Sequence, residues 1–319
     1  MADREKPLAS ISLDLDNQWS YMKIHGDDGW DRYPSYFDIF IPYVLDLLDE
    51  LDIKITFFIV GKDTEQPGNF KYLQMITERG HEVGNHSYNH ESWLQSYSYS
   101  QIEEEIQSAE EAIINATGQK PKGFRGPGFS WSFDLLRVLE SRGYLYDTST
   151  LPTYIGPLAR KYYFWKSDLS KEEKKARKEL FGKFSEGFRS LKPYYWDLGE
   201  ERKILEIPVT TMPVFKLPFH MSYLLYLSRF SSVLMRIYVG MALFLCKIRS
   251  ISPSFLLHPL DIIGGDKLTT LSFFPGMDLS TDKKIKAFKY VLTMLKESYI
   301  LVPMGYYASE FTNEHPNPK

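Results

Sequence analysis

The chain has one cysteine, Cys246, among 319 residues. A single thiol excludes an internal disulfide framework and a thiolate metal cluster alike. Net charge is nearly absent as well, at −3, so no global basic field of the kind that draws a protein onto nucleic acid is present. Carboxylates are missing between Glu206 and Asp261, where Leu, Phe, Tyr and Met accumulate beside Arg229, Arg236, Lys247 and Arg249. The longest charge-free apolar core of that stretch, Ile237 to Cys246, falls well short of the ~20 residues a spanning helix requires. The segment 216–250 can still form an interfacial helix or hairpin, its apolar groups in lipid and its basic ones at anionic headgroups. Packing against the rest of the fold, or a dimer interface, is the alternative. The first residues, Met-Ala-Asp-Arg-Glu-Lys-Pro, lack the apolar core of a secretory signal. A cytoplasmic enzyme, peripheral at the inner face of the membrane if 216–250 meets lipid, is the expectation.

What is present is ordinary globular material, 43% hydrophobic and 25% charged, with four polar constellations set into it. Gly84-Asn-His-Ser-Tyr-Asn-His90 places His86 and His90 four residues apart, on one side of a helix turn or tight loop, where two imidazoles can share a metal. Ser12-Leu-Asp-Leu-Asp-Asn17 ends an alternating apolar strand, whose period of two sends Asp14 and Asp16 to one side. Two adjacent carboxylates repel and cannot be buried alone, so they need a cation, an arginine or solvent. Arg125 stands in Gly123-Phe-Arg-Gly-Pro-Gly128, whose glycines suggest a loop that approaches something closely. Ser254-Phe-Leu-Leu-His258 is an apolar strand carrying a histidine to the rim of a sheet, where active sites of parallel folds collect. Taken singly, each has a plain alternative: a solvated histidine pair, a turn with an exposed arginine, a core strand.

In this order, Asp-x-Asp at a strand end, His-x-x-x-His, Arg-x-Pro and a late strand-borne histidine resemble the motif series of the polysaccharide deacetylase family, carbohydrate esterase family four. The likeness runs from Ile11 to Phe311. The first motif departs from the commoner adjacent aspartates by the insertion of Leu15, a variant similar to the branch acting on peptidoglycan, lipid-linked formamido sugars and small amides. Gly128 stands where many members carry an aromatic residue. The resemblance implies that Asp16, His86 and His90 hold one divalent metal, with zinc the expected ion. It further implies that Asp14 is the general base, held ionised by Arg125, that Gly128 offers a backbone N–H to the oxyanion, and that His258 protonates the departing amine. The substrate implied is an N-acylated amino sugar or glycan, acetyl or formyl, carried on a polyisoprenyl phosphate in the lipid-linked branch. A hydrolase of a small non-sugar amide such as a ureide or imide ring, and a non-catalytic carbohydrate-binding relative, are the rivals.

Strands are expected at Ala9–Leu15, Ile53–Val60, Glu82–Asn85, Tyr144–Asp147, Leu205–Thr210, Phe255–His258 and Ile300–Pro303. Helical patterns fall at Phe37–Leu51, Phe70–Arg79, Ser100–Thr117, Phe133–Arg142 and Asp282–Glu297. The helix from Ser100 has Glu103 three residues on, as in a capping box, and Gly118 at its end. Alternating β and α elements imply an α/β fold with a mostly parallel sheet. The resemblance narrows this to one distorted (β/α) barrel of the NodB type over residues 1–319, with about seven strands. Two stretches interrupt the rhythm, at 155–203, charged around Lys171 to Lys178, and at 216–250. Trp19 and Trp131 are expected to stack on a sugar ring, Asp147 to shape the cleft, and Asp261 to orient a substrate group or cap the next turn. His25, His81 and His220 are read as turn, core or interface residues.

Overall fold

The computed structural model describes residues 6–156 and 184–315. The charged excursion expected around Lys171 to Lys178 lies outside them. In chain order the elements are β1 (Leu8–Leu15), α1 (Gln18–His25), α2 (Phe37–Glu50), β2 (Thr56–Ile59), α3 (Phe70–Glu78), β3 (Glu82–Asn85), α4 (Tyr99–Thr117), β4 (Gly123–Phe124), α5 (Phe133–Ser141) and β5 (Tyr146–Asp147). There follow β6 (Tyr194–Asp197), β7 (Lys203–Glu206), β8 (Thr211–Met212), β9 (Leu217–Pro218), α6 (Met221–Phe230), α7 (Ser232–Ile248), β10 (Ser254–Leu257), α8 (Thr281–Ser298), β11 (Ile300–Val302) and α9 (Met304–Glu314).

Seven of these strands lie side by side in the order β10-β1-β2-β3-β4-β5-β7, every neighbouring pair parallel. The chain leaving β7 returns to β10: Thr210 N donates to Ser254 O at 3.0 Å, and Ser254 N donates to Thr210 Oγ1 at 2.8 Å. These two bonds close the sheet into a distorted barrel. β6 pairs antiparallel outside β7, and β11 pairs with the first residues of β1.

Period-two alternation in β1 makes the layers. Ala9, Ile11, Leu13 and Leu15 enter the large outer core with Phe40, Val44, Phe255, Val291 and other residues of the surrounding helices, while Ser10, Ser12 and Asp14 take the opposite, inner side. The C-terminal helix α9 supplies apolar filling within: Met304, Tyr307 and Ala308 pack with Phe58, Tyr146, Leu205 and Ile207. That helix and α1 had no clear counterpart in the sequence pattern.

Register is what positions the site. Leu15, Ile59, Asn85, Phe124, Asp147 and Glu206 are successive partners across six strands, one level around the wall. Asp16, His86, Arg125 and His258 each follow directly on the last residue of a strand. Parallel direction therefore brings all four to one rim.

The start of α4 differs from expectation. The N-cap of α4 is Ser98, paired with Gln101 in a capping box. Ser98-x-x-Gln and Ser100-x-x-Glu are both in frame, and the earlier one starts the helix. Gly118 ends it in the left-handed conformation at φ 70, where the missing Cβ removes the usual penalty.

Candidate metal and catalytic centre

β1 stops at Leu15 because the chain turns, Asp16 N donating to Asp14 O at 2.9 Å. The turn is tied from beneath: Tyr36 Oη donates to the Asp16 carbonyl, and Tyr36 N to Asn17 Oδ1 at 3.2 Å. After β3 the chain enters a tight loop rather than a helix. Ser87 and His90 adopt positive φ, 62° and 55°. Ser87 N donates to Asn85 Oδ1 at 2.8 Å, and Glu105 on α4 accepts from Tyr88 N at 3.0 Å and Asn89 N at 2.6 Å. A buried carboxylate thus holds the loop that carries both histidines.

Asp16, His86 and His90 are buried, and one ligand atom from each lies within 4.8 Å of the others. His86 Nδ1 is 2.7 Å from the Arg125 carbonyl. A carbonyl only accepts, so Nδ1 carries the proton and Nε2 presents its lone pair. That Nε2 is 3.5 Å from Asp16 Oδ1, and His90 Nε2 is 2.9 Å from the same oxygen. Asp16 Oδ1 is nevertheless buried with no partner in hydrogen-bond geometry. Three lone-pair donors that converge without bonding one another suit a shared cation. Electrostatics agree. Burial would raise the Asp16 carboxyl, but His90 and His86 outweigh it and hold the group far below the usual carboxylate range. Burial would likewise lower His86, yet the charges of Asp14 and Asp16 draw it upward. Potential that favours a proton on the His86 ring favours a divalent ion in the same place.

Asp14 faces the other way. Its Oδ1 accepts from Arg125 Nη1 at 3.0 Å, and its Oδ2 is 3.9 Å from His258 Nε2. Arg125 is wholly buried. Its Nε donates to Thr148 O at 3.2 Å, its Nη2 to Thr148 Oγ1 at 3.0 Å, and the guanidinium covers the Phe58 ring at 4.8 Å. The loop it stands on is crowded: a Cβ on Gly126 would sit 1.9 Å from Ser130 O. Gly128 follows at φ 61, free of the Cβ penalty there.

His258 keeps about a quarter of its side chain open. Burial would lower its pKa, but the Asp261 carboxylate, 3.7 Å from Nδ1, and the charges of Asp14 and Asp16 raise it from 6.5 to about 9. Ser222 Oγ at the start of α6 lies 3.3 Å from the same Nδ1. The structure therefore brings Asp14, Asp16, His86, His90, Arg125 and His258 together at one rim.

Of the four expected substrate contacts, Trp19 and Asp147 need correction. Trp19 is 1% exposed and its indole N–H donates to Asp63 Oδ1 at 2.8 Å, so it is wall beside His90 and shows no face to a sugar. Trp131 is half-buried and stacked on Trp196 at 4.7 Å, with the Arg189 guanidinium beside both rings, 4.5 Å and 4.8 Å from their centroids. Asp147 is fully buried, accepting from Ser149 N and Oγ. Ser149 Oγ in turn accepts from Gly126 N at 2.8 Å, so Asp147 braces the Arg125 loop rather than the cleft. Asp261 is buried and accepts from His258 N at 2.8 Å. It caps the turn that follows β10, the second of the two roles expected of it, and in doing so orients the histidine.

Other residues surfaced only in three dimensions. Asp63, its carboxyl pushed up by burial to about 7, joins Asn17 Nδ2 at 2.7 Å to the Trp19 indole. His220, read as a core or interface residue, stands with its ring 6.5 Å from that of His258. Burial and the neighbouring imidazole lower it to about 4, which leaves it neutral beside a protonated partner. A buried carboxylic acid next to a strand end, like Asp63, or a histidine opening a helix, like His220, has no sequence spacing that marks it. His81 accepts from Ile55 N at 3.2 Å and is structural; His25 pairs with Asp27 at 2.8 Å.

Residues 23–146 match the family model described as polysaccharide deacetylase. The match contains His86, His90, Arg125 and Gly128, and leaves Asp14, Asp16 and His258 outside. A peptidoglycan-N-acetylglucosamine deacetylase of Bacillus cereus is 33% identical over 88 residues, 28% of this chain and 31% of that protein. A peptidoglycan deacetylase of Helicobacter pylori is 30% identical over 114 residues, 36% and 38% of the two chains. The chain thus spans about a third of the length of these curated relatives. Among solved structures, one from Mycobacterium smegmatis described as a polysaccharide deacetylase superposes with a TM-score of 0.61 at 17% identity, covering 100% of this chain and 94% of that one. Puue allantoinase superposes at 0.57 with 16% identity, again over 100% and 94%. At such identities these two likenesses speak for the barrel alone.

Proposed function

This chain belongs to the polysaccharide deacetylase family, and from that premise we propose that it hydrolyses the N-acyl group of an amino sugar in a glycan. The observation that carries the reading is the division of labour at the rim: Asp16, His86 and His90 converge on one point, while Asp14 sits between Arg125 and His258. Two imidazoles and a carboxylate suit zinc and leave coordination positions open. When bound, such an ion supplies Lewis-acid polarisation and makes water a nucleophile near neutral pH.

The chain's own groups perform the proton transfers. Arg125 holds Asp14 Oδ1, leaving Oδ2 turned to the cleft, and Asp14 takes the proton of the attacking water. The carbonyl carbon becomes tetrahedral, with its oxygen offered the Gly128 N–H as a fixed donor. His258, protonated across neutral pH by Asp261 and Asp14, then gives its proton to the nitrogen as the C–N bond breaks. A carboxylate and an amine leave. A formyl in place of an acetyl group, and a polyisoprenyl-phosphate-linked sugar as acceptor, belong to the same reading.

The test is elemental analysis of the purified chain beside His86→Ala/His90→Ala, with acetate and formate release followed from N-acyl amino-sugar substrates, lipid-linked ones included. One divalent ion per chain, lost in the variant together with acyl release, is expected. Full metal content in the variant would overturn the ligand set. Metal retention without release from any amino sugar would leave a small cyclic amide or mere carbohydrate binding in its place.

A further inference from the structure

The helical hairpin α6–α7 has an outer face that nothing among the described residues covers. On α7, Val233, Leu234, Ile237, Met241, Phe244 and Ile248 are all exposed. At about 100° per residue these six fall within roughly a third of the helix circumference. The opposite side, Met235, Tyr238, Val239, Ala242, Leu243 and Cys246, is buried against the fold. Phe230 at the end of α6 is 69% exposed, and Phe215, on the turn between β8 and β9, is exposed as well. Burying one side and exposing an apolar stripe on the other reverses the usual economy of a surface helix.

We propose that this face docks the protein, in the plane of the surface, onto a lipid leaflet rich in anionic headgroups. Charge selects the occupant. From residue 207 to 260 there is no Asp or Glu, in a chain that carries 41 of them. Arg236 and Lys247 fall along one edge of the stripe, both exposed, and Arg249 follows at the helix end. Arg236 lies over Tyr290 with its guanidinium 4.9 Å from the ring. Arg229 is paired to Asp278 at 2.8 Å, whereas Lys247 and Arg249 have no ion-pair partner among the described residues. An apolar strip edged by unpaired cations matches acyl chains beneath anionic headgroups. A second copy of the hairpin would bring cations against cations, with no carboxylate on the element to meet them. The helix lies on the surface and does not enter further, since no described helix is long and apolar enough to cross a membrane. Its companion α6 begins beside the site, where Ser222 touches His258, so docking places the rim close to the headgroup layer.

The experiment is sedimentation of the full chain with vesicles of phosphatidylcholine alone and of phosphatidylcholine with phosphatidylglycerol, at low and physiological salt, beside Ile237→Glu/Phe244→Glu and Lys247→Glu/Arg249→Glu. Both pairs are solvent-exposed, and circular dichroism verifies that each variant folds. Expected are binding to the anionic vesicles that weakens with salt, and a loss of about tenfold or more in affinity for either variant. Equal binding to neutral and anionic vesicles, or none by the wild type, overturns the proposal irrespective of the variants. A dimer in sedimentation velocity that Ile237→Glu/Phe244→Glu dissolves, without vesicle binding, assigns the face to a second copy. Deacylation of a water-soluble amino sugar is untouched by either variant, so failure here and failure of the hydrolase reading remain distinct.

Discussion

Replacing Arg125 by Met should cost the fold about 3–5 kcal/mol, because it strands the buried Asp14 carboxylate. The guanidinium is 1% exposed at its side chain, Asp14 is 7% exposed, and the N–O separation is 3.0 Å. At an effective dielectric near 20 the attraction across that distance is about 5 kcal/mol, and solvent screens little of it. The two Thr148 acceptors lose their donors in the same step. Asp14→Asn should also destabilise, by leaving the arginine unpaired, so the informative quantity is the coupling. In Arg125→Met/Asp14→Asn both charges are gone, and the double variant should be about 2–3 kcal/mol more stable than the sum of the single losses implies. Urea denaturation of the four proteins, with and without a chelator, measures it. Costs that add to within about 0.5 kcal/mol would show that the pair is not the joint on which this rim is held. All three variants should lack turnover, and Asp14→Asn should keep the metal.

His258, raised to about 9 by Asp261 and Asp14 against the effect of burial, should hold its proton at neutral pH, and amide turnover should fall as pH rises through about 9. The sign for stability is the same: its pairing contributes fully below about 6.5 and is lost as pH rises through about 9. Asp261→Asn should move that limb downward, and an unmoved limb would detach it from His258. His258→Ala should impair an amide far more than an activated ester whose leaving group needs no proton; equal losses would remove its acid role. Gly126→Ala should cost about 1–3 kcal/mol or more by overpacking, since its Cβ would meet Ser130 O at 1.9 Å. A wild-type melting temperature for that variant would show the Arg125 loop to be looser than its contacts imply.

The motif residues were legible because of where parallel strands leave them. Asp14 and Asp16, His86, Arg125 and His258 stand at or directly after apolar β segments, and in a closed parallel sheet every such position faces the same rim. Strand ends thus bring Asp14, Asp16, His86 and His258 together in space, while His90 also needs the loop that Glu105 holds. The wall behind them follows no such rule. Trp19 has the composition of a sugar platform, but whether an indole shows its face depends on partners far away, here Asp63. Asp147 was read as a cleft residue, and Asp261 as a substrate contact or a cap, for a similar reason: a carboxylate near a strand end can face the substrate or brace the residue that does. Here Ser149 and the His258 backbone decide for bracing. The hairpin 216–250 shows the converse case. Its missing carboxylates are a property of the sequence alone, but which of its apolar residues stay outside follows only from the packing of Met235, Val239 and Ala242 inward, and that packing leaves the stripe at Val233 to Ile248 uncovered among the described residues.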